Sequence, residues 1–195
     1  HRLDEHDIRR PQTRISMHPV WRGYLQDSPT FLLVPVFVKP SSLGSSVGIS
    51  KVEEHKNFEP AIKLALKYGK KVIVERMING REIEVAVLGN NKLKVSAPGE
   101  ISTTDHFYSY EAKYVDEEGA DLIIPADLDL EVSQNIRQTA VEAFQITECR
   151  GMARVDFFLN NDNTFILNEI NTLPGFTNIS MYPKLWEASG LSYPQ

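Results

Sequence analysis

The sequence predicts an α+β fold, and three observations carry that prediction. Phe58–Tyr68 and Val132–Phe144 repeat apolar residues at helical spacing. Several other stretches alternate apolar with polar residues, as half-buried strands do. Asn- and Gly-rich turns join some of these stretches into hairpins, so strand ladders pack with two helices. The chain has 195 residues, 42% of them hydrophobic, which suits one domain or two small ones with a true core.

The elements follow in order. Residues 1–30 are polar and broken by Pro11, Pro19 and Pro29, with no lasting apolar period, and read as a loosely held leader. His1, His6 and His18 match no metal-ligand spacing. Phe31–Val38 is a strand-like run, followed by Lys39, Pro40 and a small-residue stretch through Gly48. Asn57 is placed to cap a helix in which Phe58, Ala61, Ile62, Ala65 and Tyr68 share one face, and Gly69 stops it. Val72–Glu75, Glu82–Leu88 and Leu93–Ala97, parted by Asn79-Gly80 and Gly89-Asn90-Asn91, predict a three-stranded antiparallel meander. Residues 98–120 read as a loop rich in Tyr and charge. Asp129 precedes a second helix marked by Val132, Ile136, Ala140, Ala143 and Phe144. Strands Ala153–Leu159 and Phe165–Ile170 flank an Asn/Asp turn, and a short helix near Pro183–Ala188 follows a Pro/Gly loop.

Composition excludes several function classes. With 26 Asp+Glu against 21 Lys+Arg, the net charge of −5 argues against a general nucleic-acid binder, which needs surplus cations to displace counterions. The single cysteine, Cys149, leaves no internal disulfide and no Cys-based zinc site. No apolar run approaches the roughly 18–20 residues of a membrane span. The opening His1–Glu5 is no export signal, so a cytoplasmic location is expected, and the lack of an initiator Met points to a piece of something longer.

The last hairpin carries the most chemistry. With a four-residue turn at 161–164, Asn160 sits opposite Phe165; Asp156 then faces Glu169 and Arg154 faces Asn171, all on one face of the ribbon. Opposed carboxylates repel, and a divalent cation relieves that repulsion; an Asp, Glu and Asn oxygen set suits Mg²⁺ or Mn²⁺. Phe158 and Leu167 pair on the same face in this register, offering an apolar bed beside the charges for a nucleotide base. The alternative is an exposed hairpin face on which Arg154 neutralises the acids.

Other motifs are weaker alone. Gly44-Ser45-Ser46-Val47-Gly48 can turn backbone N–H groups toward an anion beside Lys39, but it lacks the Gly-Lys-Ser/Thr ending of a Walker loop. It also has the letters of a hydrolase nucleophile elbow centred on Ser46. The residues after it look extended rather than helical, and neither His55 nor His106 has a convincing neighbourhood as base. Lys113 stands among tyrosines and acids as a second phosphate cation, and Gly175 can present an N–H to an oxyanion.

Several motifs align in order from about Val36 to Pro194. They include Phe37-Val38-Lys39-Pro40, the Leu43–Ser50 loop, Gly80–Val87, Tyr110-Glu111-Ala112-Lys113-Tyr114, Ile124-Pro125-Ala126 and Ala153–Phe158. Asn168–Thr172, Pro174–Thr177 and Ser180-Met181-Tyr182-Pro183 complete the series. In these the chain resembles the D-alanine–D-alanine ligases of the ATP-grasp superfamily.

The resemblance implies two antiparallel-sheet subdomains that clamp ATP between them, residues 31–80 forming the central subdomain and 81–195 the C-terminal one. It implies phosphorylation of one D-alanine carboxylate and attack on that acyl phosphate by the amine of a second, in peptidoglycan precursor synthesis. It assigns Lys39 and Lys113 to ATP phosphates, Glu75 to the adenine edge, Glu82 to the ribose, and Asp156, Glu169 and Asn171 to Mg²⁺. Arg154 would stabilise the acyl phosphate and tetrahedral intermediate with the Gly175 N–H, and Ser180 would bind the second substrate's carboxylate. Ser45 and Tyr114 would close a lid against water, Tyr114 marking the dipeptide-forming branch. Family members are expected to pair as homodimers.

Departures accompany the match. The family's leading α/β domain, with a glutamate for the first D-alanine and another ATP-contacting lysine, has no counterpart among residues 1–35; relatives also continue past Gln195, and Ser109 replaces a usual Asp. The expectation is therefore an ATP-grasp module truncated at both ends, with little turnover of its own. A non-catalytic Mg-ATP-binding or docking module is the alternative, separated from a ligase by D-alanine-dependent phosphate release.

Overall fold

The computed structural model describes residues 15–17, 34–41, 47–102, 121–177 and 179–192. Contacts divide them into two units: described residues up to Ile78 in one, Asn79–Ser102 and the described residues from Asp121 onward in the other.

In the first unit the apolar–polar alternation of Val36–Pro40 (β2) turns Val36 and Val38 inward and leaves Phe37 and Lys39 half-buried on the other face. It pairs antiparallel with Ser50–Val52 (β3) and Val72–Arg76 (β4), and Ile15–Met17 (β1) extends the sheet along β4, in the order β1-β4-β2-β3. Helix Phe58–Tyr68 (α1) lays Ala61, Ile62 and Ala65 over Val36, Val38, Val52, Val72 and Val74. Asn57 occupies the cap position without a side-chain capping bond, because a 3₁₀ turn at His55–Asn57 already leads into the helix. Gly69 ends α1 with extended backbone (φ −163°), so the stop does not use glycine's left-handed freedom.

The expected meander does not form. Val72–Arg76 joins β2, with Val38 opposite Val74, while the next strand belongs to the other sheet. Burial of Val72 and Val74 under α1 decides the partner, and a loop's brevity does not. Ile15–Met17 likewise form a strand inside the segment read as a leader.

The second unit is a six-stranded antiparallel sheet of Arg81–Gly89 (β5), Lys94–Val95 (β6), Gly99–Ser102 (β7), Asp121–Ile123 (β8), Gly151–Leu159 (β9) and Phe165–Asn171 (β10). The order is β10-β9-β5-β7-β8, with β6 also on β5. Ile83, Val85, Val87, Ala153, Val155, Phe157 and Leu159 share one face and meet Val132, Ile136, Ala140 and Phe144 of helix Leu130–Ile146 (α2). Each of the larger side chains buried there contributes about 1.5–3 kcal/mol. On the opposite face Ala86, Leu88 and Met152 pack under Met181, Tyr182, Leu185 and Trp186 of helix Met181–Ala188 (α3). The Tyr182 hydroxyl donates to the Val87 carbonyl at 3.1 Å. This helix starts two residues before the expected Pro183, which its first turn tolerates because the missing N–H has no helical acceptor there. Gly80 enters β5 where a Cβ would lie 2.7 Å from the Leu159 carbonyl oxygen, a close approach that only glycine permits.

Candidate functional site

The β9–β10 hairpin closes one residue tighter than expected. Asn160 N–H donates to the Thr164 carbonyl at 2.8 Å, Asn163 N–H donates back to the Asn160 carbonyl at 3.1 Å, and Asn163 takes φ +63°. Residues 161–163 are therefore a three-residue loop ending in a left-handed Asn, one of the residues that tolerates that conformation. Phe165 then faces Leu159, Ile166 faces Phe158 and Leu167 faces Phe157. Asn168 is an extra residue, a β-bulge, after which Glu169 faces Asp156 and Asn171 faces Arg154. The two polar pairings expected from the sequence are present, although a shorter turn plus a bulge produces them. The expected Phe158–Leu167 pair is corrected: Leu167 lies opposite Phe157 and packs on the α2 core, and Ile166 is the neighbour of Phe158.

Three rows of side chains result on the face away from α2. Glu82, Phe158 and Ile166 form the first, Glu84, Asp156 and Glu169 the second, Ala86, Arg154 and Asn171 the third. The middle row sets three carboxylates side by side on three strands. Two of them are buried: Glu84 is 6% exposed and Asp156 8%. Arg154 answers them from the next row. Its Nε donates to Asp156 Oδ1 and its terminal nitrogen to Asp156 Oδ2, both at 2.8 Å, and Nε lies 2.9 Å from Glu84 Oε2. Burial opposes the charge on Arg154, but the Asp156 hydrogen bonds and the charges of Asp156, Glu84 and Glu169 outweigh it and raise the guanidinium pKa. Arg154 therefore remains a cation at every accessible pH.

Of the exposed-face alternative, the neutralisation by Arg154 is present and Glu169 is exposed, but Glu84 and Asp156 are buried. A buried ion pair is a weak source of stability beside well-packed apolar residues. One guanidinium among three carboxylates also leaves excess negative charge, which a cation would balance. The donor set fits a small divalent ion. Asn171 Nδ2 sits 2.8 Å from Asp156 Oδ2 and 3.3 Å from Glu169 Oε1. Turning the amide over would bring its oxygen beside the two carboxylates, an all-oxygen set of the kind Mg²⁺ prefers. Among the described residues no three His, Cys, Asp or Glu side chains are grouped to hold a metal by themselves.

Glu84 is the site residue that the sequence reading passed over. It lies in the quoted Gly80–Val87 motif, two residues from Glu82 and therefore on the same face. That alternation was the available signal.

Lys39 and Glu75 meet in the other unit, on the half-buried face of its sheet, with Nζ 2.6 Å from Oε2. The loop after β10 holds Gly175 and Ser180 together: a Cβ on Gly175 would lie 2.9 Å from Ser180 Oγ, and Thr177 N–H donates to that oxygen at 3.1 Å. Ser45, Ser46, His106, Ser109, Lys113 and Tyr114 lie outside the described residues. His55 is exposed in its 3₁₀ turn, and Ser50–Val52 is extended, as the argument against a nucleophile elbow expects. Among the described residues no helix is long and apolar enough to cross a membrane.

A family model described as "D-ala D-ala ligase C-terminus" matches residues 17–195, reaching well before Val36. The chain is 58% identical over 160 residues to a D-alanine–D-alanine ligase of Proteus mirabilis, and 56% identical over 160 residues to D-alanine–D-alanine ligase A of Escherichia coli K12. Each match takes in 82% of this chain but 44% of the relative, so the chain spans less than half the length of these curated relatives. Among solved structures, the VanG D-Ala:D-Ser ligase of Enterococcus faecalis superposes with a TM-score of 0.82 at 35% identity, over 94% of this chain and 53% of that one. The D-alanine–D-alanine ligase of Coxiella burnetii gives 0.74 at 41% identity, over 93% and 48%. This chain belongs to the D-ala D-ala ligase C-terminus family, and its α+β architecture is that of the C-terminal portion of an ATP-grasp enzyme.

Proposed function

We propose that this chain carries the Mg-ATP-binding chemistry of a ligase that joins two D-alanines into D-alanyl-D-alanine, with ATP split to ADP and phosphate. The observation that supports this most is the register-matched set of Asp156, Glu169, Asn171 and Arg154 on one sheet face, within a family of D-alanine ligases. Asp156, Glu169 and Asn171 hold a divalent cation, Mg²⁺ or Mn²⁺, which when bound screens the nucleotide phosphates. Phe158 supplies an apolar bed for the base, Ile166 beside it, and Glu82 in the same row takes the ribose hydroxyls. Lys39 holds phosphate oxygens and Glu75 the adenine edge, each giving up the ion pair between them.

In the reaction, a D-alanine carboxylate oxygen attacks the γ-phosphorus, and the bond to the ADP oxygen breaks. Arg154 stabilises the negative charge that builds on the transferred group. The amine of the second D-alanine then attacks the acyl carbon, the oxyanion receives the Gly175 N–H, and phosphate leaves. Ser180 positions the second carboxylate. Lys113 adds a phosphate cation, and Ser45 with Tyr114 excludes water from the acyl phosphate.

The test is thermal. The Mg²⁺ complex of a non-hydrolysable ATP analogue, at 100 times its Kd, should stabilise the chain by about 2.7 kcal/mol, and MgCl₂ or the analogue alone at the same concentration should do less. The Asp156→Ala, Glu169→Ala double variant should lose the joint shift. The same shift in that variant would remove the metal assignment.

A further inference from the structure

Arg154 has two carboxylate partners, and one of them is needed elsewhere. If Asp156 gives a carboxylate oxygen to a cation, the ion draws on the electron density of that oxygen and weakens the hydrogen bonds it accepts from Arg154. The guanidinium would then be held less firmly unless a second carboxylate takes it. Glu84 occupies the position that solves this. It is directly opposite Asp156 across β5 and β9, it is buried, and its Oε2 lies 2.9 Å from the same Nε that now bonds Asp156 at 2.8 Å. A small rotation of the guanidinium exchanges one carboxylate for the other.

We propose that Glu84 is a positioning residue that takes over the Arg154 guanidinium when Asp156 turns to the divalent cation. This rests on the Mg-ATP reading above. The exchange keeps Arg154 buried, paired and aimed in both states, so the site never strands a desolvated charge. Glu84 touches neither phosphate nor metal; it acts through Arg154.

The experiment follows the Arg154 Nε–H resonance in the isotope-labelled chain, without and with MgCl₂ and a non-hydrolysable ATP analogue. In the parent the signal should persist in both states and change its shift on loading. In Glu84→Gln it should persist without Mg²⁺, where Asp156 still holds it. On loading it should exchange with water about tenfold faster or vanish, the scale expected from losing one charge-assisted hydrogen bond. A residue that merely supports the sheet would not make the loss depend on Mg²⁺. Equal persistence in loaded Glu84→Gln, or disappearance of the signal in the loaded parent, would overturn the proposal. Should Glu84→Gln not fold, the Glu84 carboxyl signal of the parent decides: it should shift on loading as it takes the guanidinium, and an unchanged signal would overturn the proposal. If MgCl₂ and the analogue perturb neither the Asp156 nor the Glu169 carboxyl signal, the metal reading itself fails and the exchange falls with it. A response at those carboxylates with no role for Glu84 overturns the exchange only.

Discussion

The two faces of the β5–β9–β10 ribbon are made by the same backbone and obey opposite rules. Toward α2, Val85, Val155 and Phe157 are fully covered and gain stability by leaving water. Away from α2, Glu84 and Asp156 are buried and Arg154 half-buried, yet they are charges whose desolvation costs stability unless they hold one another. The bulge at Asn168 reconciles the faces. Before it Phe165 and Leu167 point to the core, and after it Ile170 does, so the parity of inward residues switches within one strand. Without the switch, either Leu167 would join the charges or Glu169 would enter the core.

Putting a charge on the covered face is the strongest way to break this contrast. Val155→Asp places an unpaired carboxylate beneath α2, and should cost more than about 4 kcal/mol and abolish cooperative unfolding in urea. Persistence of the parent transition would show that the two faces do not differ. Next comes Phe144→Ala, which empties a buried site beneath α2 and should cost about 3–5 kcal/mol by chemical denaturation. The Asp156→Ala, Glu169→Ala variant should do the reverse of a core lesion. It leaves Arg154 paired one-to-one with Glu84, so unliganded stability should stay within about 1 kcal/mol of the parent while the cation response disappears. A loss as large as that of Phe144→Ala would erase the distinction between the faces.

The smallest effect concerns Tyr182, which covers the same face from α3. Burial raises its phenol pKa above the ordinary value near 10, and its hydroxyl donates to the Val87 carbonyl. A raised folded-state pKa stabilises at pH values below the unfolded pKa. That stability is lost as pH climbs through the folded value. Tyr182→Phe should therefore lose about 1 kcal/mol at neutral pH and lack this component of the decline above pH ~10 in a pH-dependent melting series.

Much of this was legible in the linear chain because the signals were local. The helix faces at Phe58–Tyr68 and Val132–Phe144 declare themselves by spacing, and both helices form within two residues of those bounds. The charged residues of the candidate site were also within reach, since Asp156 and Arg154 lie two apart on one strand and therefore share a face. The Phe158–Leu167 error came from extending one register through the whole hairpin. The cue was present: apolar residues at Phe165, Leu167 and then Ile170 break a strict period of two.

What the order of residues determined by itself was the set of helices, most strand stretches, and which chemistry-bearing groups share a strand face, because these depend on neighbours a few positions away. Tertiary structure alone decided that Val72–Arg76 joins Val36–Pro40, that a tight turn and a bulge together restore the Asp156–Glu169 pairing, and that Glu84 comes within reach of Arg154. The physical reason is common to all three. Strand partners are selected by burial over the whole sheet, and that selection acts between segments far apart in the chain, where no local pattern can register it.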